Sequence, residues 1–456
     1  MLKRDISATF TGNAAGFLLS LCTSVILART LGPANRGLLG LAMLIPAVAA
    51  RFCTLGQEMV NLTFGGLYKD RRKNLFQQSV IVTLTGSVVS TVCICAFYFW
   101  LPVDKGRFGE LPHGTVWLVC LVVPLVMFST MIVALVRGVG KITTAAFLHV
   151  FQIAGFLLLL AAVVVWRGLE FKTALILMTL KPVITIIASI WVLRELVTFR
   201  PSDFCGRLFK ESLGFGFQLS LASFAGFLIY RIDQGMLAYM VPLHQVGLYV
   251  VAVNIAERLR MVPSSISGAF LPRLANELSA RQQQVPLVFR CTTVVSVAAM
   301  LVVWGLGVPA IFALYGPDFS GMVSPFLLLL PGIASLGGSS ILASDLMARK
   351  KPKYSIFTGY TVLAANIILN LALIPVLGIN GAAVASSASY IAQGILWIFF
   401  YLRESKMAPG QMIPRAEDVR LVTAASGSML RDLTMGGVDR LKSVVVTVLR
   451  VGNERR

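Results

Sequence analysis

Charge is scarce in this chain. Asp, Glu, Lys and Arg make up 13% of its 456 residues, and Asp and Glu together number 20. Histidine occurs three times, at His113, His149 and His244, too scattered to build a metal site. The seven cysteines are odd in number and fall almost entirely within or beside apolar runs, which argues against a disulfide framework. Cys93 and Cys95 form a C-x-C pair without histidine or acidic company, so no metal is expected there. Nucleotide chemistry lacks its loop. In Gly138-Val139-Gly140-Lys141 the lysine is followed by Ile142 where Ser or Thr is needed, and no glycine stands five residues before Gly140. No nucleophile elbow and no large loop for a catalytic domain interrupt the apolar runs. These absences argue against an enzyme and against any cofactor, and they exclude ATP as a direct energy source.

What remains is apolar and basic. The chain is 57% hydrophobic with mean hydropathy +0.81, yet carries a formal net charge of +20. A soluble nucleic-acid binder matches that charge but not that hydropathy, so nucleic acid is not an expected partner. Apolar runs of about 20 residues recur throughout, the length of a membrane-crossing helix and too long for barrel strands. The expected fold is an all-α polytopic membrane protein with twelve spans, near 7–28, 37–60, 77–100, 115–136, 144–166, 173–193, 211–233, 243–266, 287–312, 324–347, 355–377 and 380–402. The first run has no clear cleavage site and is read as a retained span.

Placing the N-terminus in the cytoplasm puts 29 Lys and Arg on the inner side and 6 on the outer. That asymmetry predicts cytoplasmic termini and an even span count. The expected organisation is an N-terminal six-helix lobe (1–200), a C-terminal six-helix lobe (201–402) and a basic cytoplasmic tail (403–456). Two readings stand for the tail: a loosely ordered solvated segment, or an amphipathic helix over Leu421–Val451 lying on anionic lipid. A repeat supports the two lobes. Leu27-Ala28 and Gly37-Leu38 recur 210 residues later as Leu237-Ala238 and Gly247-Leu248. Parallel repeats of this kind are a common transporter plan.

A charge inside a membrane span costs several kcal/mol, so such charges are functional candidates. The cations in spans are Arg51, Lys181, Arg231, Arg258 and Arg260; the acids nearby are Glu58, Asp233, Glu257 and Asp345. Arg51 follows Pro46 by five residues, and Glu58 lies two helical turns further on the same face. Arg51 either lines a polar cavity or pairs with an acid. Lys181, beside Pro182, either marks a water-accessible site or snorkels to an interface. Arg231 and Asp233 are either cavity groups or an interfacial pair, and Glu257 has Arg258 and Arg260 as neighbours. Arg51 and Lys181 are the least compensated, and a cavity of that sign favours an anion such as a pyrophosphate. A cation or drug antiporter would rely on the acids instead.

Leu27-Ala28-Arg29-Thr30-Leu31-Gly32-Pro33 with Gly37 resembles the signature between the first two helices of Wzx-type polysaccharide flippases. These belong to the multidrug/oligosaccharidyl-lipid/polysaccharide exporter superfamily. Tyr230-Arg231-Ile232-Asp233, with Val246-Gly247-Leu248-Tyr249 and Ala252, is similar to the family's second-half opening. Leu373-Ile374-Pro375-Val376-Leu377-Gly378-Ile379-Asn380-Gly381-Ala382-Ala383 looks like its eleventh-to-twelfth helix link. The resemblance covers residues 1–402. It implies two six-helix lobes around a V-shaped cavity, in the bacterial inner membrane. It also implies flipping of undecaprenyl-pyrophosphate-linked oligosaccharide by alternating access, for surface or exported polysaccharide such as lipopolysaccharide. A related peptidoglycan-precursor flippase carries arginines in a proline-bearing second helix, as Pro46 and Arg51 do here. On this reading Arg51, Lys181, Arg29, Arg231 and Arg258 hold the pyrophosphate and sugar, and Glu58, Asp233 and Glu257 are the ion-coupling candidates. Implied partners are the polyprenyl-linked substrate, membrane lipids, and polysaccharide polymerase and chain-length machinery. The alternative is an ion-coupled drug or cation antiporter on the same scaffold.

Overall fold

The computed structural model describes residues 2–100, 104–200, 203–261, 263, 278–349 and 351–423. Among the described residues every regular element is helical, because a chain this apolar must satisfy its backbone groups within each segment. The first six helices are α1 (Leu2–Cys53), α2 (Gln57–Leu67), α3 (Arg72–Cys95), α4 (His113–Gly138), α5 (Ile142–Arg167) and α6 (Phe171–Val192). They are followed by α7 (Gly206–Ile229), α8 (Ile232–Met240), α9 (Leu243–Ala256), α10 (Leu278–Tyr315), α11 (Val323–Ala348), α12 (Pro352–Leu377) and α13 (Ile379–Ser405).

Among the described residues, ten helical stretches are long and apolar enough to cross a membrane. A fused first pair and an eighth span that is only partly described account for ten against the twelve expected. The first two expected spans fuse into Ala15–Cys53, whose 39 residues reach about 58 Å, nearly twice the apolar thickness of a bilayer. The junction is a kink at Gly32, whose φ of 71° and ψ of 170° suit a residue without a side chain. The eighth expected span, 243–266, runs beyond the described residues: α9 covers 14 residues, a 3₁₀ turn follows at Glu257–Arg260, and most of that span after Met261 is outside the described residues. The second expected span also ends early, at Cys53, where the helix breaks before α2.

The chain divides into two compact units. The first comprises Met1–Ala252, Ile311–Met322 and Asn370–Ala382; the second comprises Val253–Ala310, Val323–Leu369 and Ala383–Arg456. In the first unit α1 packs along α5 and α4, α2 along α4, and α4 along α6. Val60, Phe64, Leu75, Phe76, Ile132 and Leu135 form part of its core. In the second unit Val285, Phe289, Leu342, Trp397, Phe400 and Tyr401 do the same.

The 210-residue repeat has a physical counterpart in the first unit. A Cβ on Gly247 would lie 2.8 Å from the Pro33 carbonyl carbon and closer still to its oxygen; a Cβ on Gly37 would lie 2.8 Å from the Gly247 nitrogen and press on the Leu243 carbonyl oxygen. Pro33 and Leu243 are themselves 210 residues apart, as are Gly37 and Gly247. Each contact therefore maps onto its mate when the two copies are exchanged, as at a two-fold contact. Gly40 against Val250, another pair with the same offset, extends the crossing.

The segment after α13, at the start of the stretch 403–456 expected as a basic tail, is partly docked. Met412 is buried in the second unit's core. Asp418 is 1% exposed and accepts hydrogen bonds from Arg290 Nε (2.8 Å), Arg290 Nη2 (3.3 Å) and the Arg415 amide (2.8 Å). The expected amphipathic helix over Leu421–Val451 lies outside the described residues, apart from 421–423.

Candidate functional site

The centre of the site is the break between α1 and α2. Leu55 and Gly56 both adopt positive φ, 47° and 74°, which ends one helix and starts another. Leucine bears a cost of roughly 1–2 kcal/mol in that region, so the break is held by its surroundings. The holder is α7. A Cβ on Gly56 would lie 2.6 Å from the Gly216 carbonyl carbon, and one on Gly216 would lie 2.6 Å from the Leu55 carbonyl oxygen. The backbones touch there, and Phe52–Phe224 (5.6 Å) and Phe64–Phe215 (5.2 Å) flank the contact.

Breaking the helix creates two termini, and a charge sits at each. Arg51 lies in the last turn of α1, where cations are favoured; Glu58 lies in the first turn of α2, where anions are favoured. The Arg51 Nη1 donates to Glu58 Oε1 across the break, forming an ion pair in which both side chains keep some exposure, 24% and 16%. Arg51 and Glu58, expected in separate roles as an anion contact and a coupling acid, are thus a single unit. Arg51 is compensated, contrary to the balance of charges along the sequence.

A buried amide network backs the break. Gln57 Nε2 donates to Asn61 Oδ1 (3.0 Å) and Gln78 Oε1 (3.3 Å), and Asn61 Nδ2 donates to Ser79 Oγ (2.8 Å) and the Met131 carbonyl (2.9 Å). Gln78 Nε2 donates in turn to Asn74 Oδ1 (2.6 Å). Such a network is worth most when water is excluded, and these side chains are buried. It was not among the sequence candidates; its signal was amide side chains within and beside apolar runs, at Gln57, Asn61, Asn74 and Gln78.

The other candidates fall elsewhere. Lys181 is half-buried on α6 in the first unit, and the Thr185 hydroxyl bonds its carbonyl at 3.2 Å, one turn past the proline. Arg231 occupies the break between α7 and α8 and donates from Nη1 to the Tyr230 carbonyl at 2.8 Å. Asp233 is 1% exposed; its two oxygens accept from the Tyr249 hydroxyl and the Gln234 amide, so it ties α8 to α9. Glu257 and Arg258 sit on the 3₁₀ turn of the second unit, which packs against α11. Asp345, in the same unit, takes Arg349 Nε at 2.6 Å, as the four-residue spacing suggests.

Arg29 does something the sequence did not suggest. Its Nε donates to the Leu314 carbonyl (2.6 Å) and its Nη2 to the Ala313 carbonyl (2.7 Å), 285 and 284 residues away. These are among the last carbonyls of α10, which have no partner inside their own helix. A guanidinium there caps them and meets the negative helix end. Arg29→Gln is expected to lower unfolding stability by about 1 kcal/mol, read as a small fall in the thermal midpoint of the purified protein; an unchanged midpoint would contradict the capping role.

Comparison with known proteins agrees with this architecture. A family model described as "Polysaccharide biosynthesis protein" matches residues 2–277. The probable flippase AglR of Haloferax volcanii is 29% identical over 174 residues, 36% of each chain. The match therefore spans about a third of that relative's length. A putative O-antigen transporter of Shigella flexneri is 21% identical over 287 residues, covering 60% of this chain and 67% of that one. Among solved structures, the lipid II flippase MurJ in an inward closed conformation superposes with a TM-score of 0.68 at 16% identity, over 98% of this chain and 95% of that one. An inward-facing multidrug resistance MATE family transporter gives 0.65 at 14% identity, over 86% and 94%. At such identities the structural likeness establishes the fold alone.

Proposed function

Since the chain belongs to the polysaccharide biosynthesis protein family, we propose that it is a flippase that carries undecaprenyl-pyrophosphate-linked oligosaccharide repeat units across the bacterial inner membrane. Its product feeds surface or exported polysaccharide synthesis. The distribution of Lys and Arg supports cytoplasmic termini. The internal repeat supports two lobes, 1–200 and 201–402, that alternate access by rocking. The protein moves its substrate and leaves its bonds intact, drawing energy from a gradient. A polysaccharide polymerase and chain-length machinery would receive the flipped unit.

The observation that carries this reading is the Arg51–Glu58 pair at the helix break. A guanidinium binds a diphosphate bidentately and more strongly than it binds a single carboxylate. An arriving pyrophosphate therefore displaces Glu58 from Arg51, and the carboxylate takes the guanidinium back on release. A ligand shifts a two-state equilibrium only by its differential affinity for the states. The swap supplies that difference if the break is rearranged in the outward state.

Arg51→Ala should reduce surface polysaccharide at least tenfold at equal membrane abundance, the loss of one charge-assisted contact of about 1.5–3 kcal/mol. Glu58→Gln should retain most of the yield, because it leaves Arg51 available to the phosphate. The antiporter alternative predicts the reverse order, with Glu58→Gln or Asp233→Asn severe and Arg51→Ala mild. That ordering in a polysaccharide-export assay would overturn the proposal.

A further inference from the structure

The sequence places Arg36 among the outer-loop cations, yet the fold draws it inside. It lies in α1 just beyond the Gly32 kink and is 8% exposed. Its Nε is fully buried without a hydrogen-bond partner, and no described carboxylate pairs with it. A buried guanidinium with no counter-charge is costly, and proteins rarely keep one without a use. The ionisable group whose field reaches it is the Tyr315 hydroxyl. A phenol is neutral at physiological pH, so it supplies a hydrogen-bonding neighbour and no counter-ion. Asp318, three residues beyond Tyr315, is exposed and makes no ion pair with Arg36.

The surroundings are those of an anion cradle. Arg29, seven residues earlier and across the Gly32 kink, holds the carbonyls of Ala313 and Leu314, so two guanidinium groups act on residues 313–315. Tyr315 donates its hydroxyl proton to Ser24 Oγ at 3.1 Å, tying the end of α10 to α1. Arg36 immediately precedes Gly37, where α1 and α9 meet backbone to backbone. The guanidinium therefore lies beside a helix crossing, with Nε fully buried.

We propose that Arg36, with Arg29 and Tyr315 beside it, forms a second anion site, distinct from the Arg51–Glu58 break, that takes a phosphate or diphosphate group. In the flippase reading, on which the choice of diphosphate rests, it is a later station for the same headgroup. A phospholipid headgroup carries the same phosphate chemistry and is the other source. Leaving the buried charge without an anion is unfavourable, so an occupant favours whichever state of the protein it binds better.

The test uses the full-length protein with Arg51→Gln in place, which removes the first site. Inorganic pyrophosphate is titrated in detergent and the thermal midpoint is followed, since a ligand of the native state raises it. The Arg51→Gln protein should show a saturable rise. Adding Arg36→Met should abolish the rise, while the midpoint without pyrophosphate should increase, because an unpaired buried charge has been removed. Arg36→Lys should weaken binding at least threefold, keeping charge but losing the planar fork. Repeating the titration in nanodiscs assigns the source. If phosphatidylglycerol suppresses the Arg36-dependent rise and phosphatidylcholine does not, the occupant is a lipid headgroup; if neither does, it is the diphosphate of the cargo. An equal pyrophosphate response with and without Arg36→Met overturns the site. Failure of Arg51→Ala to affect polysaccharide export would instead sink the flippase mechanism and leave the Arg36 result standing.

Discussion

Gly247→Ala is expected to be among the most damaging single-methyl additions in this protein. The new Cβ would lie 2.8 Å from the Pro33 carbonyl carbon, 2.9 Å from the Gly37 nitrogen, and nearer still to the Pro33 oxygen. All three atoms are backbone, so no rotamer change relieves the clash and two helices must separate. Overpacking typically costs 1–3 kcal/mol, and a backbone-on-backbone clash belongs at or above about 3 kcal/mol. Gly37→Ala should behave alike, since it meets the Leu243 carbonyl in the reciprocal contact. Gly235→Ala is the control. That glycine is helical with nothing within 4 Å of its would-be Cβ, and alanine there should stabilise by up to about 1 kcal/mol. Thermal unfolding of the three purified variants checks the order. A Gly247→Ala midpoint equal to that of Gly235→Ala would show that the crossing is not tight.

The second large effect is expected at Asp418→Ala. The aspartate is buried and is the carboxylate partner of Arg290, whose side chain is 12% exposed. Removing one member of a buried pair leaves the other charge uncompensated, at about 3–5 kcal/mol. Arg290 also holds the Gln411 carbonyl through Nη1 at 2.7 Å. Losing its anchor should therefore free the segment that places Met412 in the core. Limited proteolysis should cut between Lys406 and Arg420 many times faster in Asp418→Ala, and Asp418→Asn should fall between it and the unmodified protein. Unchanged cleavage would mean that the segment is held by Met412 and its apolar neighbours alone.

Both effects sit on features of unequal legibility. The glycine crossing left a trace in the sequence, because the repeat places Gly37 and Gly247 at matching positions. That these positions touch required the fold. Arg290 and Asp418 left none: they are 128 residues apart, and nothing in either local pattern indicates the other. The candidate site was half legible. Arg51 and Glu58 stood out as charges in an apolar run, and their spacing of seven placed them together. The helix break between them did not stand out, because Leu55 is an ordinary helix former driven to positive φ by the Gly56–Gly216 approach. Arg29 belonged to a recognisable motif, but its acceptors at Ala313 and Leu314 are far along the chain. Arg36 was assigned to a loop because the apolar run was started one residue later, at Gly37.

The sequence by itself determined that the protein is helical, that it is built to cross a membrane many times, and which family it belongs to. Those properties rest on hydropathy, cation distribution and short ordered motifs, each a sum over neighbours in the chain. The tertiary structure alone decided the state of each charge: Arg51 paired, Arg29 at the carbonyls of a helix end, Asp233 held by Tyr249, and Arg36 buried without a counter-charge. A charge's energy depends on the groups within a few ångströms of it and on the water they exclude, and packing brings those groups from hundreds of residues away.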